Sequence, residues 1–171
     1  NCIPHPKSLC VDVTDDPTES LAAMDAPAFW VKRGDSHAVH REAVAYARNI
    51  DELKSILLEF ELRNIPNAVI NEHLIGDLVN FYGVADTDFF YWFEPYDLSH
   101  STFRLEKINE TAQQYPFSAE NLHKVFEQAG EVMHVKIYGG DSVVAADGSV
   151  KMIDYIVDPS LAPCPDDVAQ K

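Results

Sequence analysis

Polar and apolar residues alternate over 8–13, where Leu9, Val11 and Val13 stand against Cys10 and Asp12, and this period of two predicts a half-buried strand. Short apolar runs predict further strands at 28–32, 67–71 and 78–84. The run DFFYWFEP at 88–95 is so aromatic that it must bury at least one face. Three stretches take the helical period instead. Asp16-Pro17-Thr18-Glu19 starts a short helix, with an N-cap acid, proline at the first helical position and a glutamate placed for a capping box, and it breaks near 25–27. Asn49 caps a second helix with Glu52 at its third position; Leu53, Ile56, Leu57 and Phe60 share one face, and Asn64 ends it. Ser118 caps a third, with Leu122, Val125, Phe126, Ala129, Val132 and Met133 on its apolar face. The stretch RGDSHAVHRE at 33–42 reads as a polar loop, 72–77 as a connector broken at Gly76, and 95–117 as loop with at most one short helix.

The strongest local signal is a hairpin over 136–159. Asp147-Gly148 predicts a two-residue turn in which both residues take φ > 0. That turn pairs Ala146 with Ser149, Val143 with Met152 and Asp141 with Asp154. Two carboxylates so opposed, with Cβ atoms roughly 5 Å apart, repel unless a cation or a proton lies between them. Mg²⁺, which takes one or two carboxylates together with nucleotide phosphates, is one explanation, and a solvated acidic sheet end is the other.

Composition narrows the function classes. A chain of 171 residues is long enough to bury its own core. It contains no apolar run of the roughly 18 residues needed to span a bilayer. Its net charge of −15 argues against a phosphate-backbone partner, because its few Lys and Arg are scattered, and none interleaves with the aromatic run as a base-stacking strand requires. Cys2, Cys10 and Cys164 have no metal-ligand spacing and are odd in number, which favours a reducing, cytoplasmic location. The chain opens at Asn1 without a signal-peptide pattern, so a fragment of a longer protein is expected.

Among chemistry-bearing residues, Lys32 ends a buried strand and precedes a loop with Gly34 and His37, where an ammonium and backbone N–H groups could meet a phosphate; a merely solvated strand-end lysine fits equally. His37 and His40 lack the second ligand pair of a structural zinc site. No G-x-S-x-G elbow is present. Glu72 and His73 form a connector whose backbone could hydrogen-bond a planar ring, or a plain inter-strand turn.

Taken together, AFWVKRGDSHAV, EHLIGDLVNFYGV, the YGGD to MIDY hairpin and the lead-in CIPHPKSL resemble the ATP-grasp superfamily over nearly the whole chain. The resemblance implies an α+β fold of two lobes with antiparallel sheets enclosing a nucleotide cleft, the first over 1–75 and the second over 76–171. It implies ATP and Mg²⁺ as cofactors, and an acceptor that is a small molecule or peptide. By the same resemblance Lys32 would touch the phosphates, and Gly34 and His37 would lie in the loop that covers them. Glu72, His73 and Leu74, with Asp77 beyond, would hold the nucleoside, and Asp141 and Asp154 would ligate the metal. The implied activity is ligation through an acyl phosphate, or a related phosphoryl transfer. Three positions depart from the family pattern: Asn80 and Thr102 stand where relatives carry lysine, and Ile156 stands where an acid-x-Asn pattern supplies an oxygen ligand. They leave a second class open, a degenerate domain that binds nucleotide or a partner without catalysis.

Overall fold

Two antiparallel sheets of four strands each hold all the strands of the computed structural model, which describes residues 3–35, 44–95 and 112–159. The chain divides into two compact units, one of Pro6–His73 and the other of Leu74–Lys171 joined by the first five residues.

In the Pro6–His73 unit, β1 (Ser8–Asp12), β4 (Asn67–Glu72), β2 (Phe29–Arg33) and β3 (Val44–Ala47) lie side by side in that order. Helices α1 (Thr18–Met24) and α2 (Ile50–Leu62) complete it. Leu21 and Met24 of α1 and Leu53, Leu57 and Phe60 of α2 form one core with Val11, Phe29, Val31, Ala68 and Ile70 of the strands. The α2 cap forms as the sequence predicts: Asn49 Oδ1 accepts the Glu52 N–H at 2.9 Å, and Asn64 leaves the helix at φ 57°. At α1 the start slips by one residue, because Asp16 bonds the Thr18 N–H at 3.2 Å and leaves Pro17 at the cap position. Strand β3 has no counterpart in the sequence reading. It is a four-residue edge strand paired only with β2, and Val-Ala-Tyr-Ala shows no alternation to announce it.

In the other unit, β6 (Phe90–Phe93), β5 (Asp77–Val84), β7 (Ile137–Val144) and β8 (Val150–Ile156) form the second sheet in that order, and α3 (Ala119–Met133) packs on it. Ser118 Oγ caps α3 by accepting the Asn121 N–H at 3.2 Å. The buried face of α3 is Leu122, Phe126, Ala129 and Gly130, while Val132 and Met133 are 64% and 42% exposed. The expected apolar face is therefore rotated. Gly130 has no side chain to weigh in a hydrophobic pattern, yet it is the point of closest approach, since a Cβ there would stand 3.0 Å from the Tyr155 hydroxyl. No helix among the described residues is long and apolar enough to cross a membrane.

Candidate functional site

Strand register sorts the second sheet into two faces. Val79, Phe81 and Gly83 of β5 pair with Ser142, Gly140 and Tyr138 of β7, and these rungs face α3, where Phe81 and Phe126 stack with centroids 3.7 Å apart. The intervening rungs face the other way. One of them runs Asn80, Asp141, Asp154 across β5, β7 and β8. Asn80 Nδ2 donates to Asp141 Oδ1, and Asp154 Oδ1 accepts the Tyr155 N–H at 3.0 Å.

The Asp141–Asp154 pairing agrees with the sequence reading, but the route to it differs. Ala145 N–H donates to Ser149 O and Gly148 N–H to Ala145 O, both at 2.9 Å, so the loop is the three residues 146–148. Only Gly148 takes a positive φ, 78°. Asp147 stays out of the left-handed region and its carboxylate accepts the Ser149 N–H at 2.9 Å; the Ser149 hydroxyl first, and this N–H second, hold its pKa below the usual range. Val143 therefore pairs with Lys151 and Ser142 with Met152, one residue off the expected register. A β-bulge between Asp141 and Ser142 then sets Ile153 outside the pairing and restores Asp141 opposite Asp154. The bulge has a second effect. It reverses the alternation of β8, so that Met152 and Tyr155 both reach the α3 core while Asp154 reaches the polar face.

Asp77, at the start of β5, lies on the α3 side of the ladder opposite Val144 and is 3% exposed. Its two oxygens accept the N–H groups of Gln113 and Tyr115, each at 2.7 Å, so the carboxylate fastens the irregular segment before α3. Burial first, and the Asp77 charge second, push the Glu94 carboxyl above its ordinary range.

In the Pro6–His73 unit, Lys32 pairs with Val44 and Val69 and shares a face with Trp30, away from the core side of Phe29 and Val31. Gly34 lies close against Asn67, whose Oδ1 a Cβ there would meet at 2.4 Å, so a side chain at 34 would turn the Asn67 amide aside. Glu72 ends β4 with its carboxylate buried, accepting the Lys7 N–H at 2.9 Å. Half-buried His73 follows; its N–H reaches Ala28 O, and its Nδ1 accepts the Trp30 indole N–H at 3.1 Å. Burial lowers its pKa, and an Nδ1 that accepts the indole N–H leaves the proton of the neutral ring on Nε2. Tyr46 packs edge-on against it, centroids 5.2 Å apart. Sequence reasoning singled out His73 but neither ring that holds it. Leu74 is half-buried, and His37 and Thr102 lie outside the described residues.

No protein-family model and no curated protein matches the chain. Solved structures do. The D-alanine–D-alanine ligase from Bacillus anthracis complexed with ATP superposes with a TM-score of 0.69 at 16% identity, covering 98% of this chain and 54% of that one. The D-alanine–D-alanine ligase from Coxiella burnetii gives 0.61 at 10% identity, over 90% and 42%. The ATP-grasp ligase PsnB, complexed with precursor peptide PsnA2 and AMPPNP, gives 0.56 at 14%, over 92% and 46%. This chain has the ATP-grasp fold. It spans about half the length of these structural neighbours.

Neighbours of this fold were solved with ATP and with Mg and ADP, and the donor set of this chain can be tested against that ion. Asp141 and Asp154 are hard oxygen donors in register on one face, which suits Mg²⁺ when phosphate oxygens fill the remaining positions. The described residues contain no group of three His, Cys, Asp or Glu that could hold a metal without such help. Ile156, opposite Gly139 on the next rung of the same face, is aliphatic and adds no oxygen donor.

Proposed function

We propose that the chain is the nucleotide-binding portion of an ATP- and Mg²⁺-dependent ligase of the carboxylate–amine type, acting in the cytoplasm on a small-molecule or peptide acceptor. The observation that carries this reading is the bulged register that sets Asp154 opposite Asp141 on the face away from α3. Like charges placed opposite one another cost stability, and a fold that re-phases a strand to create the pair points to a ligand that relieves the cost. Bound Mg²⁺ would supply charge neutralisation at the terminal phosphates. Asp141 and Asp154 would hold it, with the Asn80 amide orienting Asp141. Lys32, with the loop of Gly34 and His37, is assigned to the phosphates, and Glu72, His73 and Leu74 to the nucleoside. Asp77 is left out of that set, because its two oxygens already accept the Gln113 and Tyr115 N–H groups on the α3 side of its sheet. In the reaction class proposed, a substrate carboxylate attacks the terminal phosphorus, ADP leaves, and an amine then displaces phosphate from the acyl phosphate.

A second reading rests on Ile156 and Asn80. With an oxygen ligand and a cation both replaced, the domain would bind nucleotide or a partner without catalysis. Isothermal titration of ATP with and without Mg²⁺ tests both. Saturable binding that requires Mg²⁺ is the expected result, binding indifferent to the metal would favour the second reading, and no binding in either condition would overturn the nucleotide assignment.

A further inference from the structure

We propose that Lys151 delivers to the nucleotide's polyphosphate the positive charge that Asn80 does not. The inference deepens the function proposed above and rests on it.

The spacing in Lys151-Met152-Ile153-Asp154 would put Lys151 and Asp154 on opposite faces of a regular strand, since they are three residues apart. The bulge at Ile153 removes one step of the alternation and brings both onto the face away from α3. Lys151 stands opposite Val143, one rung from the row of Asn80, Asp141 and Asp154. Its Cβ is thereby a diagonal neighbour of Asp141, roughly 7–8 Å away, within reach of a four-carbon stem.

The rest of that face shows why a cation there matters. Besides Asn80, Asp141 and Asp154, the four strands line it with apolar and aromatic side chains such as Leu78, Tyr82, Phe93, Val143 and Ile156. Lys151 is the one cationic side chain that these four strands direct to it. The charges of two carboxylates cancel that of one divalent ion, so a polyphosphate bound beside them would meet no net positive charge from the metal and its ligands. An ammonium acts on phosphate as a point charge and needs no fixed orientation, so a lysine on the neighbouring rung can replace one on the central strand.

The experiment is calorimetric titration of Mg-ATP and of AMP into the full chain, for wild type, Lys151→Met, Lys151→Gln and Lys151→Arg. Met and Gln should each lower Mg-ATP affinity about tenfold, and AMP affinity by less than about twofold, because AMP lacks the terminal phosphates. Arg should stay within about threefold of wild type for both nucleotides, because it keeps the charge. Gln keeps a polar side chain, so it decides the matter if Met disturbs folding. Mg-ATP affinity unchanged in Met and Gln, or lost equally for AMP, would overturn the role of Lys151 while leaving the function intact. A wild-type chain that binds neither nucleotide would overturn the function and this role together.

Discussion

The two faces of the β6-β5-β7-β8 sheet are made by the same strands and differ in almost everything else. On the α3 side the rungs interlock: Tyr138 is fully buried opposite Gly83, Phe81 lies against Phe126, and Tyr155 stacks on Tyr138 at 5.6 Å. On the other side stand Asn80, Asp141, Asp154 and Lys151, half-exposed, with two like charges opposed. One side spends its residues on stability and the other gives stability up. The bulge at Ile153 lets β8 serve both, and the contrast makes opposite predictions for substitutions only a few residues apart.

The largest effect should come from the packed side. Gly83→Ala would place a Cβ 2.3 Å from the Tyr138 ring, with backbone pairing on both sides of Gly83 preventing escape. Overpacking of this kind costs about 1–3 kcal/mol or more, so the melting temperature should fall on the order of 10 °C. A melting curve within about 2 °C of wild type would remove the contrast.

On the polar side the sign should reverse. Asp141→Asn keeps an oxygen for the Asn80 amide and removes a charge opposite Asp154. Without metal the variant should be more stable than wild type by about 0.2–1 kcal/mol, read as a small rise in the denaturation midpoint. A loss of stability would mean that the pair is already compensated within the fold.

The smallest effect concerns Glu94, whose raised pKa makes the native state hold its proton more tightly than the unfolded chain does. Its contribution is fully present below the ordinary carboxyl value of 4.5 and is lost as pH rises through the folded value. Glu94→Gln does not titrate there. The variant should therefore gain stability relative to wild type between pH 4 and pH 7 and show no gain below pH 4. Parallel pH–stability curves for the two proteins would contradict this.

Much of this arrangement was legible in the residues, and the exceptions have physical reasons. Alternation marked β1, short apolar runs marked β4 and β5, and the Asn49 and Ser118 caps were readable because a side-chain oxygen before a periodic run has one obvious use. Strand β3 was not readable, since four residues at a sheet edge owe their conformation to β2 rather than to their own pattern. The pairing of Asp141 with Asp154 was reached through two compensating errors: a turn one residue too short and a strand without its bulge. A signal for the bulge existed. Met152 and Ile153 are consecutive apolar residues that break the alternation begun by Val150-Lys151-Met152, and that break is also what would have drawn attention to Lys151. The rings around His73 were missed because Trp30 and Tyr46 belong to two other strands and meet it only in the fold.

The central claim is that the Asp141–Asp154 pair exists to hold Mg²⁺ with a nucleotide, and thermal melting of wild type and Asp154→Asn, each with and without Mg-ATP, tests it most directly. A ligand at 100 times its Kd stabilises the native state by about 2.7 kcal/mol, so wild type should melt several degrees higher when Mg-ATP is present. Asp154→Asn should melt at or above the wild-type temperature without ligand and show little or no rise with it. A rise equal to that of wild type would contradict the claim.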